Sequence, residues 1–362
     1  MRLHPHITQR YNTVQFVMLD VLLALLPIMC IAWLAYGELA LNIFATAVGA
    51  AIVTEFLFSG ILLKRWRSVF DGSAIVTAIL LACTLSPLTP WYVVAFGAFA
   101  AILFGKIVWG GLGKNRFNPA LVGREFMAVF FSSIMLSPHI WTTNGLVQTA
   151  TSTFFPMAAD AYSEVYLQSL VYKTGGALGE YSIVALSLGG FYLLLRNRIS
   201  WHIPLALLTV FIALFWLVPA AGGRQFSLAG VLLGTLFMAT DMPSSPTTAR
   251  GKVYYGGMIG LVAFLFILGN VRFEYMSYAI LLLNGFSDRI SYTFQPRVWG
   301  RSTDWKQQVE KIFVLTLSIF AVTLAVLSLY YYNLTAYVVY LYILYIIFKF
   351  NFSLHKKVNN PV

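Results

Sequence analysis

Thr84-Leu-Ser-Pro87-Leu-Thr-Pro90 returns 156 residues later as Thr240-Asp-Met-Pro243-Ser-Ser-Pro246, and that return decides how the chain is built. The same offset recurs without a gap at Phe70/Phe226, Gly113/Gly269 and Arg116-Phe117/Arg272-Phe273. Apolar matches arise easily by chance, so the Pro, Gly and Arg pairs carry the argument. In a membrane chain, Gly- or Pro-interrupted segments at corresponding places in two halves point to a binding site at the repeat interface.

Working outward, composition requires a bilayer. The chain is 59% hydrophobic, 16% aromatic and only 10% charged, far below the charge a soluble domain needs to cover its surface. The first apolar run, Val14 to Tyr36, can span a membrane and lacks a small-residue cleavage site, so it reads as a retained helix. A net charge of +11 does not point to nucleic acid, because the basic residues cluster in short loops between apolar runs, which is the positive-inside signal. Cys30 and Cys83 lie in apolar runs and read as packed thiols. Two distant cysteines make no iron–sulfur or zinc ligand set, and no metal is expected.

Ten apolar segments precede residue 290, at about 14–36, 40–63, 74–88, 91–112, 119–137, 181–195, 203–219, 228–241, 253–269 and 275–288. The third and eighth are short for a hydrocarbon core of about 30 Å, so they are tilted with irregular ends or re-entrant. With every segment crossing and the N-terminus cytoplasmic, Lys64, Arg65, Arg67, Lys114, Arg116, Arg196, Arg198, Arg250, Lys252, Arg289, Arg297, Arg301 and Lys306 all fall inside. Only Lys173, Arg224 and Arg272 fall outside. Five segments per half is odd, so the second repeat is inverted. The expected fold is an all-α integral membrane protein of about 12 helices. Its parts are a first five-helix repeat (1–137), an outer loop (138–180), a second five-helix repeat (181–289), and a cytoplasmic stretch with a C-terminal helical hairpin (290–362). Asn333-Leu-Thr335 is the best turn within the last apolar run, and both termini are expected in the cytoplasm.

Ionisable groups at membrane depth are functional hypotheses by default. Asp20, Glu55, Glu125 and Asp241 are the candidates for an ion path, against the plainer reading that each is a satisfied packing group. Arg124 and Glu125 are adjacent and point to different sides of one helix, so they do not form a simple pair. Asp71-Gly72-Ser73 opens the third segment and reads either as a helix cap or as a helix N-terminus aimed at a polar ligand. Asn118, before Pro119, either caps the fifth segment or touches a ligand.

Several longer strings together resemble one family. They are "DGSAIVTAILLACTLSP" (71–87), "GKNRFNPALVGREF" (113–126), "GGALGEYSIVALSLGGFYLLLRNRISWHIP" (175–204), "TDMPSSPTTARGKVYYGGMIG" (240–260), and "SYAILLLNGFSDRI" with "PRVWG" (277–300). The family groups the D subunit of Rnf electron-transport complexes with the B subunit of the sodium-pumping NADH:quinone oxidoreductase, and "PRVWG" favours the Rnf side. The resemblance covers about residues 1–300 and implies a subunit of an ion-translocating oxidoreductase of the bacterial inner membrane, not catalytic alone. Such a complex moves electrons between ferredoxin and NAD, coupled to Na⁺ or H⁺ movement. It implies covalent FMN, joined as a phosphoester to a threonine of the outward loop by a flavin transferase. It also implies a second, non-covalent flavin, riboflavin, nearer the membrane interior. The expected partners are the other Rnf subunits, the transferase and lipid.

Where the family has an attachment pattern of roughly Asp-x-x-Ser/Thr-Gly-Ala-Thr, the loop here reads Asn144-Gly-Leu-Val-Gln148-Thr149-Ala150-Thr151, the pattern aligning from Gly145. Ala150-Thr151 matches and makes Thr151 the expected attachment point. Gln148 replaces the hydroxyl residue, Thr149 the small one, and no acid opens the motif. Asp71, Asn118, Thr240 and Thr247 are the positions to examine for the second flavin. Two other readings compete. One is a small-solute channel resembling urea transporters, which also pair five-helix halves. The other is a scaffold subunit without flavin, suggested by the altered motif.

Overall fold

A computed structural model describes residues 14–141, 176–218, 226–296 and 305–359, with side chains to Lys349. Among the described residues every long regular element is a helix. The first half holds α1 (Val14–Tyr36), α2 (Glu38–Leu63), α3 (Ser73–Cys83), α4 (Trp91–Gly105) and α5 (Pro119–Phe130). The second holds α6 (Ile183–Leu195), α7 (His202–Leu217), α8 (Leu228–Leu233), α9 (Ala249–Leu268) and α10 (Tyr275–Thr293). The chain closes with α11 (Trp305–Tyr331) and α12 (Thr335–Asn359). Five helices, Val14–Tyr36, Glu38–Leu63, Trp91–Trp109, Ala249–Leu268 and Trp305–Tyr331, are long and apolar enough to cross a membrane alone. This is an all-α, multi-pass membrane protein.

Local chemistry sets the boundaries. Asn118, Ser182, Ser227 and Thr248 each place a side-chain oxygen on a free N–H of the helix that follows. Asn197, Asn270 and Asn333 take left-handed backbone after α6, α9 and α11, where a short polar side chain tolerates it best. The last of these is the expected hairpin turn. The irregular places are those the Pro-rich strings marked. α3 has 11 residues, about 16 Å of helix, and ends in a buried non-helical stretch through Pro87. α8 widens into a π turn at Gly234–Met238. The fifth segment is shorter than its apolar run: α5 stops at Phe130, and two helical turns (Ser132–Met135 and Pro138–Trp141) follow. The ends of the expected 138–180 loop therefore belong to the packed body.

The 156-residue offset survives in three dimensions. α8, α9 and α10 begin within two residues of the positions it predicts from α3, α4 and α5. Direction reverses between the halves. Tyr36 at the end of α1 meets Tyr181 at the start of α6, with ring centroids 5.6 Å apart. The end of one helix and the start of its counterpart thus share a face. Matching elements also meet, α1 against α6 and α5 against α10, as two-fold-related halves require. Small residues let backbones approach closely. A Cβ on Gly123 would stand 2.5 Å from Gly97 O of α4, and one on Gly260 would stand 2.6 Å from Leu207 O of α7.

The terminal hairpin leans on this body through α10 and α5. Trp109 Nε1 donates to Tyr342 Oη (3.0 Å), which donates to Phe104 O (2.9 Å), and Lys349 Nζ sits 3.6 Å from the Trp109 ring centroid. The other faces of α11 and α12 expose Phe313, Leu317, Leu324 and Leu341, as lipid contact demands. Cys83 is buried, as expected; Cys30 is not a packed thiol but lies exposed on the outside of α1, because the inner stripe of that helix runs through Ala24, Ile28 and Ala32.

Candidate functional site

The two interrupted helices both face a cavity at the seam between the halves, where one guanidinium holds the end of α3. Arg124 Nη1 donates to Thr84 O (2.7 Å) at the broken end of α3. Nη2 donates to Phe273 O (3.1 Å), and the fork Nε/Nη2 grips Glu274 at 2.9 and 3.3 Å. This bidentate geometry needs arginine rather than lysine. One side chain of α5 therefore binds α3 of its own half to the start of α10 in the other.

A cavity of about 400 Å³ opens beside it, with walls including Thr84, Arg124, Trp141, Glu180, Phe226 and Tyr275. Trp141 stacks on Phe273 (centroids 5.0 Å apart, planes at 13°), and the Arg124 guanidinium lies 5.9 Å from the Trp141 ring centre. Tyr275 Oη donates to Ser227 O (3.1 Å) and closes the α8 side. Trp141 and Gly176, the two ends of residues 142–175, both line the cavity. Each end is fastened to the Thr84–Pro87 turn. Ser86 Oγ donates to Ile140 O, and Leu178 N donates to Leu85 O (2.8 Å).

The far side of the seam is a closed polar knot. Asn118 Oδ1 accepts from Ala120 N (3.0 Å) and Leu121 N (3.4 Å), while its Nδ2 donates across the seam to Met238 O (3.1 Å). With its amide oriented to satisfy its neighbours, Asn284 accepts from Asn118 N at 3.0 Å and donates to Ser244 O at 3.3 Å. Asp241 Oδ2 accepts from Ser244 Oγ (2.8 Å) and Asn115 Nδ2 (3.1 Å).

The structure separates the residues singled out in the sequence. Thr149, Ala150 and Thr151 lie outside the described residues. Asp71 accepts from Ser73 N (2.8 Å) and from Ser73 Oγ just ahead of α3, whose N-cap is Gly72 with no side-chain cap bond. Asn118 is a cap as well as a cross-seam donor. Thr240 and Thr247 line a different cavity, of about 680 Å³, together with Asn197, His202, Ser245 and Lys252. Thr240 Oγ1 itself donates to Leu236 O (2.6 Å). Asp20 sits among Arg198 (2.6 Å), Arg196 (3.3 Å) and Tyr192 (3.1 Å) of the second half. Glu55 pairs with Lys106 at 2.6 Å, and Lys106 also donates to Ser73 Oγ. Glu125 stands apart from the Arg124 guanidinium on the next side of α5. It lines a third cavity of about 360 Å³, apolar and closed by the terminal hairpin.

Lys106 and Glu274 escaped the sequence reading. Both sit within or beside apolar segments, so an intramembrane-charge scan extended to segment ends would have found them. Their partners stand 51 and 150 residues away, and no local pattern connects them.

The comparisons with known proteins agree with this architecture. The profile of the NQR2, RnfD, RnfE family matches residues 1–300. The chain is similar to the D subunit of the Na(+)-translocating ferredoxin:NAD(+) oxidoreductase complex of Acetobacterium woodii, 36% identical over 303 residues, covering 82% of this chain and 93% of the relative. It is similar to the D subunit of the proton-translocating ferredoxin:NAD(+) oxidoreductase complex of Clostridium ljungdahlii, 32% identical, covering 82% and 94%. It is 33% identical to the D subunit of the ion-translocating oxidoreductase complex of Alcanivorax borkumensis, covering 83% and 96%. α11 and α12 lie beyond the family match. With two interrupted five-helix halves and a match across all ten of their helices, the chain belongs to the NQR2, RnfD, RnfE family.

Proposed function

We propose that the chain is the membrane subunit of an Rnf-type complex that carries covalent FMN on Thr151. It relays electrons between ferredoxin and NAD, coupled to Na⁺ or H⁺ translocation. One observation carries this reading: the residues flanking 142–175 are pinned at the rim of the seam cavity through Ile140 and Leu178, so the segment that bears Thr151 leaves and re-enters the packed body there. The cavity fits a flavin ring by chemistry. Its volume of about 400 Å³ lies in the usual range for cofactor sites, about 300–1,000 Å³. The stacked Trp141 and Phe273 offer a flat aromatic wall, and Arg124, held by Glu274, places a fixed guanidinium beside it. FMN would supply one- and two-electron transfer through its isoalloxazine. The chain's part is to orient that ring, exclude water from it and set the local charge through Arg124 and its carboxylates.

The same reading places the face bearing residues 142–175 outside the inner membrane and both termini in the cytoplasm, as the loop charges favour. It gives the other Rnf subunits, a flavin transferase and lipid as partners. Asp71 is engaged with Ser73 and Asn118 with its own cap, so the non-covalent riboflavin is assigned to the cavity lined by Thr240 and Thr247. The urea-transporter-like reading gains nothing here, since the seam is plugged by the Arg124–Glu274 pair and the Asn118 knot. The test is in-gel flavin fluorescence of the denatured chain, co-expressed with a transferase, wild type beside Thr151→Ala. A fluorescent band lost in the variant is expected. A band that survives moves the tether to another threonine, and no band in either removes the covalent-flavin claim and leaves the scaffold reading.

A further inference from the structure

The seam holds a charge imbalance that packing alone does not explain. Arg124 is matched by Glu274, yet Glu125 lies within hydrogen-bonding range of that same Glu274. Two ionised carboxylates are acceptors only and cannot hydrogen-bond to each other. One positive charge thus faces two carboxylates in a membrane interior, where net charge is strongly disfavoured. Glu125 is 9% exposed, and its Oε1 is buried with no hydrogen-bond partner. On its other side is the apolar cavity walled by Val122, Phe126, Tyr278, Leu281, Val339 and Tyr342, which offers no further charged group. Glu180 and Arg272 face the seam cavity on the Arg124 side, and Tyr278 and Thr335 are the polar neighbours on the Glu125 side.

The other buried acids differ. Asp20 is met by two arginines and a tyrosine. Glu55 is balanced one to one by Lys106, although its Oε2 also lacks a hydrogen-bond partner, and the Asp71 joined to it through Ser73 is part-exposed at the rim; Asp241 has no cation partner but is part-exposed and accepts from Ser244 and Asn115. A surplus of buried negative charge marks the Glu125 cluster.

We propose that Glu125 and Glu274 together hold one exchangeable monovalent positive charge, a proton or Na⁺, in the wall between the seam cavity and the hairpin cavity. With the proton, Glu125 is a neutral acid that donates to Glu274. With Na⁺, both carboxylates are ionised and the cation sits at the unpartnered Oε1. Exchange is one H⁺ for one Na⁺, so the cluster stays neutral. The site stands on geometry and charge; its use in coupled translocation rests on the function proposed above.

Infrared difference spectroscopy on the purified intact complex tests this, in sodium-free choline chloride and then in sodium chloride, for wild type and Glu125→Gln. The expected result is a protonated-carboxyl band in sodium-free wild type that Glu125→Gln abolishes. Loss of that band on adding sodium identifies Na⁺ as a ligand; persistence identifies the proton alone. The absence of any such difference between wild type and Glu125→Gln overturns the proposal. If Glu125→Gln fails to assemble, Glu125→Asp keeps the acid, and the band must shift in frequency; an unshifted band overturns the proposal equally. In-gel flavin fluorescence of the same samples separates a failure of this site from a failure of the flavin reading. In proteoliposomes, Glu125→Gln should lose sodium or proton uptake per electron transferred.

Discussion

The Asp20 and Glu125 clusters are both buried carboxylates that join the two halves, yet they have opposite charge counts. Asp20 reaches from α1 to Arg196 and Arg198 after α6, two cations for one acid, and Arg196 is half exposed with its side chain 52% accessible. A surplus cation at a helix end can extend its head toward the interface. Glu125 and Glu274 share one arginine at depth, with side-chain exposures of 7% on both members of the Arg124–Glu274 pair. A surplus carboxylate there has no such exit and has to take up a cation. The lesson is that burial by itself does not mark an ion site; uncompensated burial does.

That contrast can be broken by substitution. Arg124→Ala should cause the greatest loss, about 3–5 kcal/mol, because it strands two carboxylates and frees Thr84 O and Phe273 O at once. Thermal unfolding in detergent would read it, and a variant of wild-type stability would remove Arg124 from its central place. Asp20→Asn should cost less, about 1–3 kcal/mol, since Arg196 can find water while Arg198 loses the carboxylate charge at 2.6 Å. If it matched Arg124→Ala, the difference between the clusters would vanish.

Tyr342→Phe removes the hydroxyl that links Trp109 to Phe104 O and should cost about 1 kcal/mol, loosening α12 without touching the seam. Glu125→Gln should change stability by less than about 1 kcal/mol in either direction, because it removes a surplus charge while keeping the shape. A loss as large as that of Arg124→Ala would mean that Glu125 is a structural counter-ion. The smallest effect belongs to Asp288→Asn. Its 3.6 Å contact with Arg116 is exposed (44% and 79%), and surface pairs of this kind contribute about 0–1 kcal/mol.

Much of the architecture is legible in one dimension. The apolar runs place α1 and α2 to within a few residues, Asn118-Pro119 announces a capped helix, and Asn333 marks the hairpin turn. These features depend on neighbours in sequence: apolar length, a fixed φ, a short side chain reaching its own backbone. The site is legible only in outline. Pairs of interrupted segments indicate that something lies at the seam, and Arg124 stands out beside Glu125, but nothing in the string names Glu274 as its partner. Lys106 merges into an apolar run, although burial with Glu55 makes it part of a charge pair.

The sequence by itself determined the membrane, the long apolar helices and the recurring motifs of the two halves, because hydropathy and spacing are properties of the string. Only the tertiary structure decided which acids are neutralised and where the cavities open. Charge compensation depends on distances between residues as far apart as 124 and 274, and those are fixed when two inverted halves close against each other.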